Sequence, residues 1–389
     1  MSQNNQGQLG LYFHWPFCLS KCPYCDFNTH AFDAVDHDRW LAAYLRAMEF
    51  YAQQTEGRVL SSVFFGGGTP SLMEPRVMAA ILDRVRTLWE CDEALEISME
   101  ANPTSVENAK LSAFADAGVN RVSLGVQALN DSDLKFLGRE HDAKAALKAL
   151  EIARKNFDRV SFDLIYGRPE QTLDDWSREL KQVLDLQVDH VSAYQLTIER
   201  NTPFYYDHEQ GRFHVPEQDL AADFYGVTQD VLGAGGLPAY EVSNHARDGA
   251  DQCRHNLIYW NYCDYIGIGP GAHGRITSEG AKYATRDHAA PQIWLERVES
   301  ERTDYRAGTH PYSVLSQSDQ VFERLMMGLR LVSGIALGSV DWKYLRRDKV
   351  QILADQGWVE FNDAHIRLTR EGLLRLNAIL PFVFDETPR

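Results

Sequence analysis

Long apolar runs are missing from this chain of 389 residues: nowhere do about eighteen uncharged apolar residues follow one another, the length a membrane-spanning helix needs. Basic charge is in deficit as well, with 39 Lys and Arg against 55 Asp and Glu and a formal net charge of −16. A polyphosphate partner needs Lys and Arg at each contacted phosphate, so nucleic acid is not an expected partner. Low-complexity tracts are absent, and 44% hydrophobic with 24% charged residues excludes bulk disorder. Residues 1–10 are mostly polar and uncharged, so no secretory leader is expected and a cytoplasmic location follows. Cysteine is scarce at six residues. In a reducing compartment these thiols serve metals or catalysis, not a disulfide framework.

The six cysteines are unevenly placed: three fall within residues 18–25, and the others are Cys91, Cys253 and Cys263. From residue 11 to about 200, short runs rich in Val, Ile, Leu, Phe and Tyr alternate with amphipathic stretches. Strands are expected at 11–14, 59–65, 95–100, 121–127, 160–166 and 191–198, and helices at 40–51, 74–89, 105–117, 143–155 and 173–186. Thr104, Asp142 and Thr172 stand where N-caps belong. Six such units imply an α/β fold, a partial (β/α)6 TIM-like barrel, because a closed barrel takes eight. The expected organisation is this barrel over 1–235, an irregular connecting region over 236–305, and an α+β C-terminal extension over 306–389. In that extension, helices flank a hairpin at 358–368 in a small winged-helix-like module. Its mixed charge favours packing over DNA binding.

The sharpest motif is Cys18-x3-Cys22-x2-Cys25, directly after the first strand. Three thiolates on one loop can converge on a common centre. A structural zinc site wants four ligands, and no fourth Cys or His sits at finger spacing. Three suit a four-iron cluster with one iron left open. Polar residues recur at later strand ends, where barrel sites are built: Gly66-Gly67-Gly68-Thr69-Pro70, Glu100, Gln127 with Arg139 downstream, and Asp163. The glycines fit either close ligand approach or a tight strand-to-helix turn.

The cysteine spacing resembles that of the radical S-adenosylmethionine (SAM) superfamily. Leu11-Tyr12-x-His14-x-Pro16-Phe17-Cys18, Gly66–Pro70, Gly125-Val126-Gln127 and Asp163-Leu164-Ile165-Tyr166-Gly167 resemble the HemN/HemW family of anaerobic coproporphyrinogen III dehydrogenases and heme chaperones. The resemblance implies a radical SAM barrel in which Cys18, Cys22 and Cys25 ligate a [4Fe–4S] cluster. It further implies that Tyr12, Tyr24, Gly67, Gly68, Thr69, Glu100, Gln127, Arg139 and Asp163 contact SAM, with Tyr194 and Gln195 as further candidates.

Two departures point to the heme-chaperone branch. Phe27 stands where the dehydrogenases carry a fourth cysteine, and only 17 residues precede Cys18, where they have a longer extension. The segment Cys253-Arg254-His255-Asn256-Leu257-Ile258-Tyr259-Trp260 matches the branch's HNxxYW motif, which implies heme contact by His255, Tyr259 and Trp260. Read without the resemblance, those residues cap a turn and pack in a core, and Cys253, Cys263 and His245 are rival ligands. The implied cargo is heme, and the implied partners are acceptor hemoproteins such as respiratory enzymes. Coproporphyrinogen III decarboxylation is the alternative; a homodimer and peripheral membrane contact stay open. Finally, Gly269-x-Gly271-x-x-Gly274 fits a dinucleotide fingerprint formally but opens no strand–turn–helix unit, so it reads as close-packed backbone.

Overall fold

The computed structural model describes residues 8–32, 34–300 and 308–386. The first seven residues of the expected polar leader-free start, and the expected junction between 305 and 306, lie outside them. Six strands appear in chain order: β1 (Gln8–Trp15), β2 (Val59–Gly67), β3 (Glu90–Ala101), β4 (Arg121–Gln127), β5 (Arg159–Tyr166) and β6 (His190–Gln195). Helices α1 (His37–Gln54), α2 (Pro75–Leu88), α3 (Leu111–Ala117), α4 (Ala143–Asn156) and α5 (Leu173–Asp185) connect them, and each strand pairs in parallel with the next. Asp142 caps α4 through the Ala145 N–H, and Thr172 closes a capping box with Asp175 at the start of α5.

Each strand has two unlike faces. Leu9, Leu11 and Phe13 of β1, Val63 and Phe65 of β2, Ile97 and Met99 of β3, Val122 and Leu124 of β4, and Phe162 and Leu164 of β5 turn outward. They share one buried core with the helices. At about 1.5–3 kcal/mol per buried side chain, this outer layer drives closure of the sheet. The alternate residues face inward and are largely polar: Tyr12 and His14, Ser62, Glu96 and Glu100, Arg121 and Ser123, Ser161 and Asp163, His190 and Ser192. A parallel strand buried on both sides is ordinarily apolar throughout. Here the inner face is instead a lined polar interior.

The stretch expected to be irregular is largely ordered. After α6 (Gln218–Ala234) come β7 (Asn244–Ala246), α7 (Arg254–Trp260), β8 (Asp264–Ile268), β9 (His273–Ser278), β10 (Ala281–Arg286), α8 (Pro291–Glu299) and β11 (Ser313–Val314). β8 pairs in parallel with β1, so the eleven-stranded sheet runs β11-β10-β9-β8-β1-β2-β3-β4-β5-β6-β7. The glycines that suggested a loop are close approaches inside this sheet. A Cβ on Gly267 would meet the His273 carbonyl oxygen at 2.1 Å, and one on Gly269, at φ +120°, the His14 carbonyl oxygen at 2.4 Å. Close packing, not a dinucleotide loop, accounts for them.

The C-terminal extension has its own core, built by α9 (Gln317–Gly328), α10 (Arg347–Asp355), further short helices and a three-stranded antiparallel sheet. Beyond the hairpin, the flanking helix is two short ones, Arg370–Leu373 and Leu376–Val383. Glu323 of α9 ties the extension to the large sheet, pairing with Arg275 at 2.7 Å and accepting the Tyr262 hydroxyl at 2.8 Å. No helix among the described residues is long and apolar enough to cross a membrane.

Candidate active site at the barrel mouth

The cysteine loop leaves the carboxyl end of β1. Its start is fixed by Phe17–Cys18 pairing with His30–Ala31, and by the Gly68 and Thr69 N–H groups donating to the Trp15 and Phe17 carbonyls at 2.7 and 2.8 Å. The three thiols are near enough to influence one another's charge, and each has a polar partner. The Thr69 hydroxyl donates to Cys18 Sγ at 3.4 Å, Arg139 Nη1 to Cys22 Sγ at 3.4 Å, and Thr29 Oγ1 lies 3.9 Å from Cys25 Sγ. Burial pushes the Cys18 and Cys25 thiols up, and the neighbouring cysteines add to it. Among the described residues, no three His, Cys, Asp or Glu side chains are gathered around one metal ion. Three soft thiols on one loop, supplied with hydrogen-bond donors, fit an iron–sulfur cluster.

Beside the loop, the mouth of the barrel gathers the strand-end residues picked out in the sequence. The Glu100 carboxylate accepts the Gly67 N–H at 3.1 Å. Burial, with nearby Asp163 adding to it, pushes its pKa up to about 8. Asp163 accepts the Ser123 and Ser161 hydroxyls at 2.7 and 2.8 Å, and burial raises its pKa as well. Gln127 ends β4 in a left-handed backbone conformation at φ 73°, with its side-chain oxygen buried and without a hydrogen-bond donor. Arg139 donates to Asn102, the Gly125 carbonyl and the Tyr24 hydroxyl, leaving a buried Nε unpaired. Two orphaned polar atoms at one mouth, one acceptor and one donor, are what a polar cofactor would satisfy. Tyr194 and Gln195 stand exposed at the end of β6. A small, half-open pocket lined by Cys22, Thr69, Asn102 and Arg139 lies at this mouth beside the cysteine loop.

For Gly67 and Gly68 the packing supplies a reason for glycine of its own. A Cβ on Gly67, at φ +109°, would strike the His14 ring at 2.6 Å, and one on Gly68 the Phe17 carbonyl oxygen at 2.6 Å. Protein fills the side-chain direction at both positions, so the tight turn by itself requires glycine here, whatever their backbone meets.

Sequence reasoning gave no role to His14 or Asn28, and both prove central. His14 Nε2 donates to the Asn28 carbonyl at 2.9 Å, so its Nδ1 accepts the Tyr12 hydroxyl at 3.0 Å. Burial lowers the His14 pKa and keeps the ring neutral. The Asn28 carboxamide in turn donates to the Pro270 and Ala289 carbonyls, each at 2.8 Å. Only the His14 position in the motif signalled this, since the acceptors are remote in sequence.

α7, which carries the HNxxYW residues, plugs the barrel interior. Its N-terminus is capped from β3: Glu96 accepts the Arg254 and His255 N–H groups, each at 3.0 Å, while pairing with Arg159 at 2.6 Å. His255 stacks on Phe64 at 5.0 Å. Both of its ring nitrogens are engaged, Nδ1 with Ser62 Oγ at 2.9 Å and Nε2 with the Tyr259 hydroxyl at 2.8 Å. Burial drops its pKa to about 3. As an axial heme ligand, His255 therefore has no free nitrogen here. The rival ligands Cys253, Cys263 and His245 are all buried too. Trp260 differs: its indole N–H is buried without an acceptor.

The barrel, the three-thiol loop and the polar mouth define a radical SAM protein. The family model described as Radical SAM superfamily matches residues 12–183, and the HemN C-terminal domain matches residues 315–375. The chain is 36% identical to heme chaperone HemW of Escherichia coli (strain K12), over 97% of this chain and 98% of that one. It is 35% identical to the mitochondrial radical S-adenosyl methionine domain-containing protein 1 of Danio rerio, over 97% and 87%. The solved coproporphyrinogen III oxidase HemN of Escherichia coli shares the fold at a TM-score of 0.79 and 23% identity, covering 98% of this chain and 91% of that one. The chain belongs to the HemN/HemW family of the radical SAM superfamily, whose members bind a [4Fe–4S] cluster and SAM.

Proposed function

We propose that the protein is a cytoplasmic heme chaperone that binds heme and passes it to acceptor hemoproteins, with Cys18, Cys22 and Cys25 as ligands of its [4Fe–4S] cluster. The observation that carries this reading is the near full-length similarity to heme chaperone HemW. Phe27, which occupies the site of the dehydrogenases' fourth cysteine, lies 62% exposed at the cluster loop and supports it. When bound, the cluster supplies one-electron chemistry to SAM.

The chain's own residues hold and orient. Thr69 donates to Cys18 Sγ, which favours the thiolate there, and Arg139 donates to Cys22 Sγ. Tyr12, Glu100, Gln127 and Asp163 line the mouth as the SAM contacts, with Asp163 placed to accept ribose hydroxyls and the unpaired Arg139 Nε to meet a carboxylate. Glu100, held protonated toward pH 8, can donate as well as accept. Tyr259 and Trp260 offer aromatic surface to the porphyrin, while His255 holds α7 in the barrel.

Anaerobically reconstituted protein is expected to bind hemin and transfer it to an apo-hemoprotein, and absence of both would end the reading. Protoporphyrinogen formed catalytically from coproporphyrinogen III, SAM and reductant would replace it with the dehydrogenase. Cys22→Ala should remove the cluster's visible absorbance and leave the chain folded.

A further inference from the structure

Trp260 closes α7, and its indole N–H is buried with no acceptor among the described residues. The Arg330 guanidinium lies over this ring, 5.6 Å from the centroid. Its hydrogen bond goes to the Met326 carbonyl, one turn earlier in α9, and none of the ion pairs among the described residues involves it. Burial lowers its pKa, and Glu241 is the charged neighbour that favours the cation. Glu241 is itself fully buried and commits its carboxylate to Asn244 Nδ2 and the Ser243 N–H. Burial pushes the Glu241 pKa up to about 7, so near neutrality it compensates Arg330 only in part.

One buried indole N–H without an acceptor thus stands beside a half-buried guanidinium whose one hydrogen bond among the described residues goes to a backbone carbonyl. Guanidinium has five N–H groups in a planar fork, and an indole N–H can only donate. Buried donors without partners in a folded protein mark a place where an acceptor belongs. The acceptor that matches a guanidinium fork is a carboxylate, bound through two parallel hydrogen bonds. The position is also fixed from both parts of the chain. α7 sits in the barrel, and the segment after α9 is pinned to the barrel side by the Val332 N–H donating to the Tyr240 carbonyl at 3.1 Å and by the Glu241–Leu331 bridge.

We propose that Trp260 and Arg330 form a carboxylate-binding subsite that takes a propionate arm of the tetrapyrrole, an assignment that rests on the heme reading above. The iron and the macrocycle are then free to engage other groups, and the arm sets the orientation of the ring.

Hemin and hemin dimethyl ester, whose arms carry no charge, separate the possibilities. Each is titrated by visible spectroscopy into the cluster-loaded wild type, Arg330→Gln, Arg330→Lys and Trp260→Phe. Wild type should bind hemin about tenfold or more tightly than the ester, the scale of a hydrogen bond to a charged group. Arg330→Gln should bind both alike, at the level of the ester. Arg330→Lys should recover part of the preference, and Trp260→Phe should lose part of it. Cluster absorbance and thermal midpoint confirm that each variant is intact, and Arg330→Lys decides the matter if Arg330→Gln is not. Equal binding of hemin and ester by wild type, or a preference that survives in Arg330→Gln, overturns the subsite alone. No hemin binding by wild type overturns the subsite and the chaperone reading together. Inorganic phosphate and sodium propionate, added without macrocycle, should leave the thermal midpoint unmoved. A phosphate-induced rise that Arg330→Gln abolishes would make this a general anion site and overturn the propionate assignment.

Discussion

Asn28 and Pro270 are 242 residues apart in the chain, yet the Asn28 carboxamide nitrogen lies 2.8 Å from the Pro270 carbonyl oxygen. With the second bond to Ala289, this side chain clamps the end of the cysteine loop to the β8–β9 side of the sheet. Two hydrogen bonds at about 1 kcal/mol each are at stake. Asn28→Ala should release the reconstituted cluster several-fold faster under a chelator, with little change in thermal midpoint. Asn28→Asp cannot donate to the two carbonyls and should do no better. Wild-type retention in both variants would show that the clamp does not hold the loop.

Glu100 makes a prediction about pH. An acid with a folded pKa of about 8 against its usual 4.5 costs nothing at low pH, where it is protonated whether folded or not. As pH rises through this window the unfolded chain sheds its proton and the folded one keeps it, so stability falls. Cofactor-free Glu100→Gln should therefore melt above the wild type at pH 8, and the gap should close toward pH 4. A gap independent of pH would contradict the burial argument.

Glu96 bears on the integrity of the barrel floor. Burial opposes its charge, but Arg121 and Arg159 outweigh that and hold its pKa low. Glu96→Ala would leave both arginines without this partner and α7 uncapped, at a cost of about 3–5 kcal/mol. Glu96→Gln keeps one acceptor oxygen, for one of the Arg254 and His255 N–H groups, and should cost less. Chemical denaturation reads the order directly, and equal losses would deny the capping role.

The hydroxyl of Tyr259 supports an internal role for His255. Tyr259→Phe strands His255 Nε2 in a buried site, which should cost about 1–3 kcal/mol. If His255 does not ligate heme iron, the hemin spectrum of this variant should match the wild type. A shift of the Soret band with unchanged stability would restore the imidazole as a ligand.

The barrel was legible because its strands are short, β-branched and separated by capped helices, each a local signal. The thiol triad was legible for the same reason, since eight consecutive positions hold it. The strand-end residues Glu100, Gln127 and Asp163 came with it because strand ends converge in any barrel. β8 was missed because its Gly267 resembles a loop until the backbone packed against it is seen. Asn28 and Glu96 were missed because the carbonyls that Asn28 clamps and the N–H groups that Glu96 caps lie more than a hundred and fifty residues away, beyond any pattern of local spacing. The HNxxYW motif was found, but its histidine proved to be occupied by Ser62 and Tyr259, contacts that only the packed barrel creates.

The pairing of β1 with β8 also has a consequence for biosynthesis. β1 precedes the other strands among the described residues and ends in the middle of the sheet, with Leu9 opposite Asp264. At about 5–20 residues per second, the ribosome takes on the order of 10–50 s to deliver that partner. Throughout that interval one edge of β1 stands open, with its hydrogen-bonding groups available to any other strand. The nascent barrel is therefore most exposed to mispairing before residue 264 emerges. Slowing synthesis between α6 and β8 should raise aggregation more than slowing it anywhere downstream.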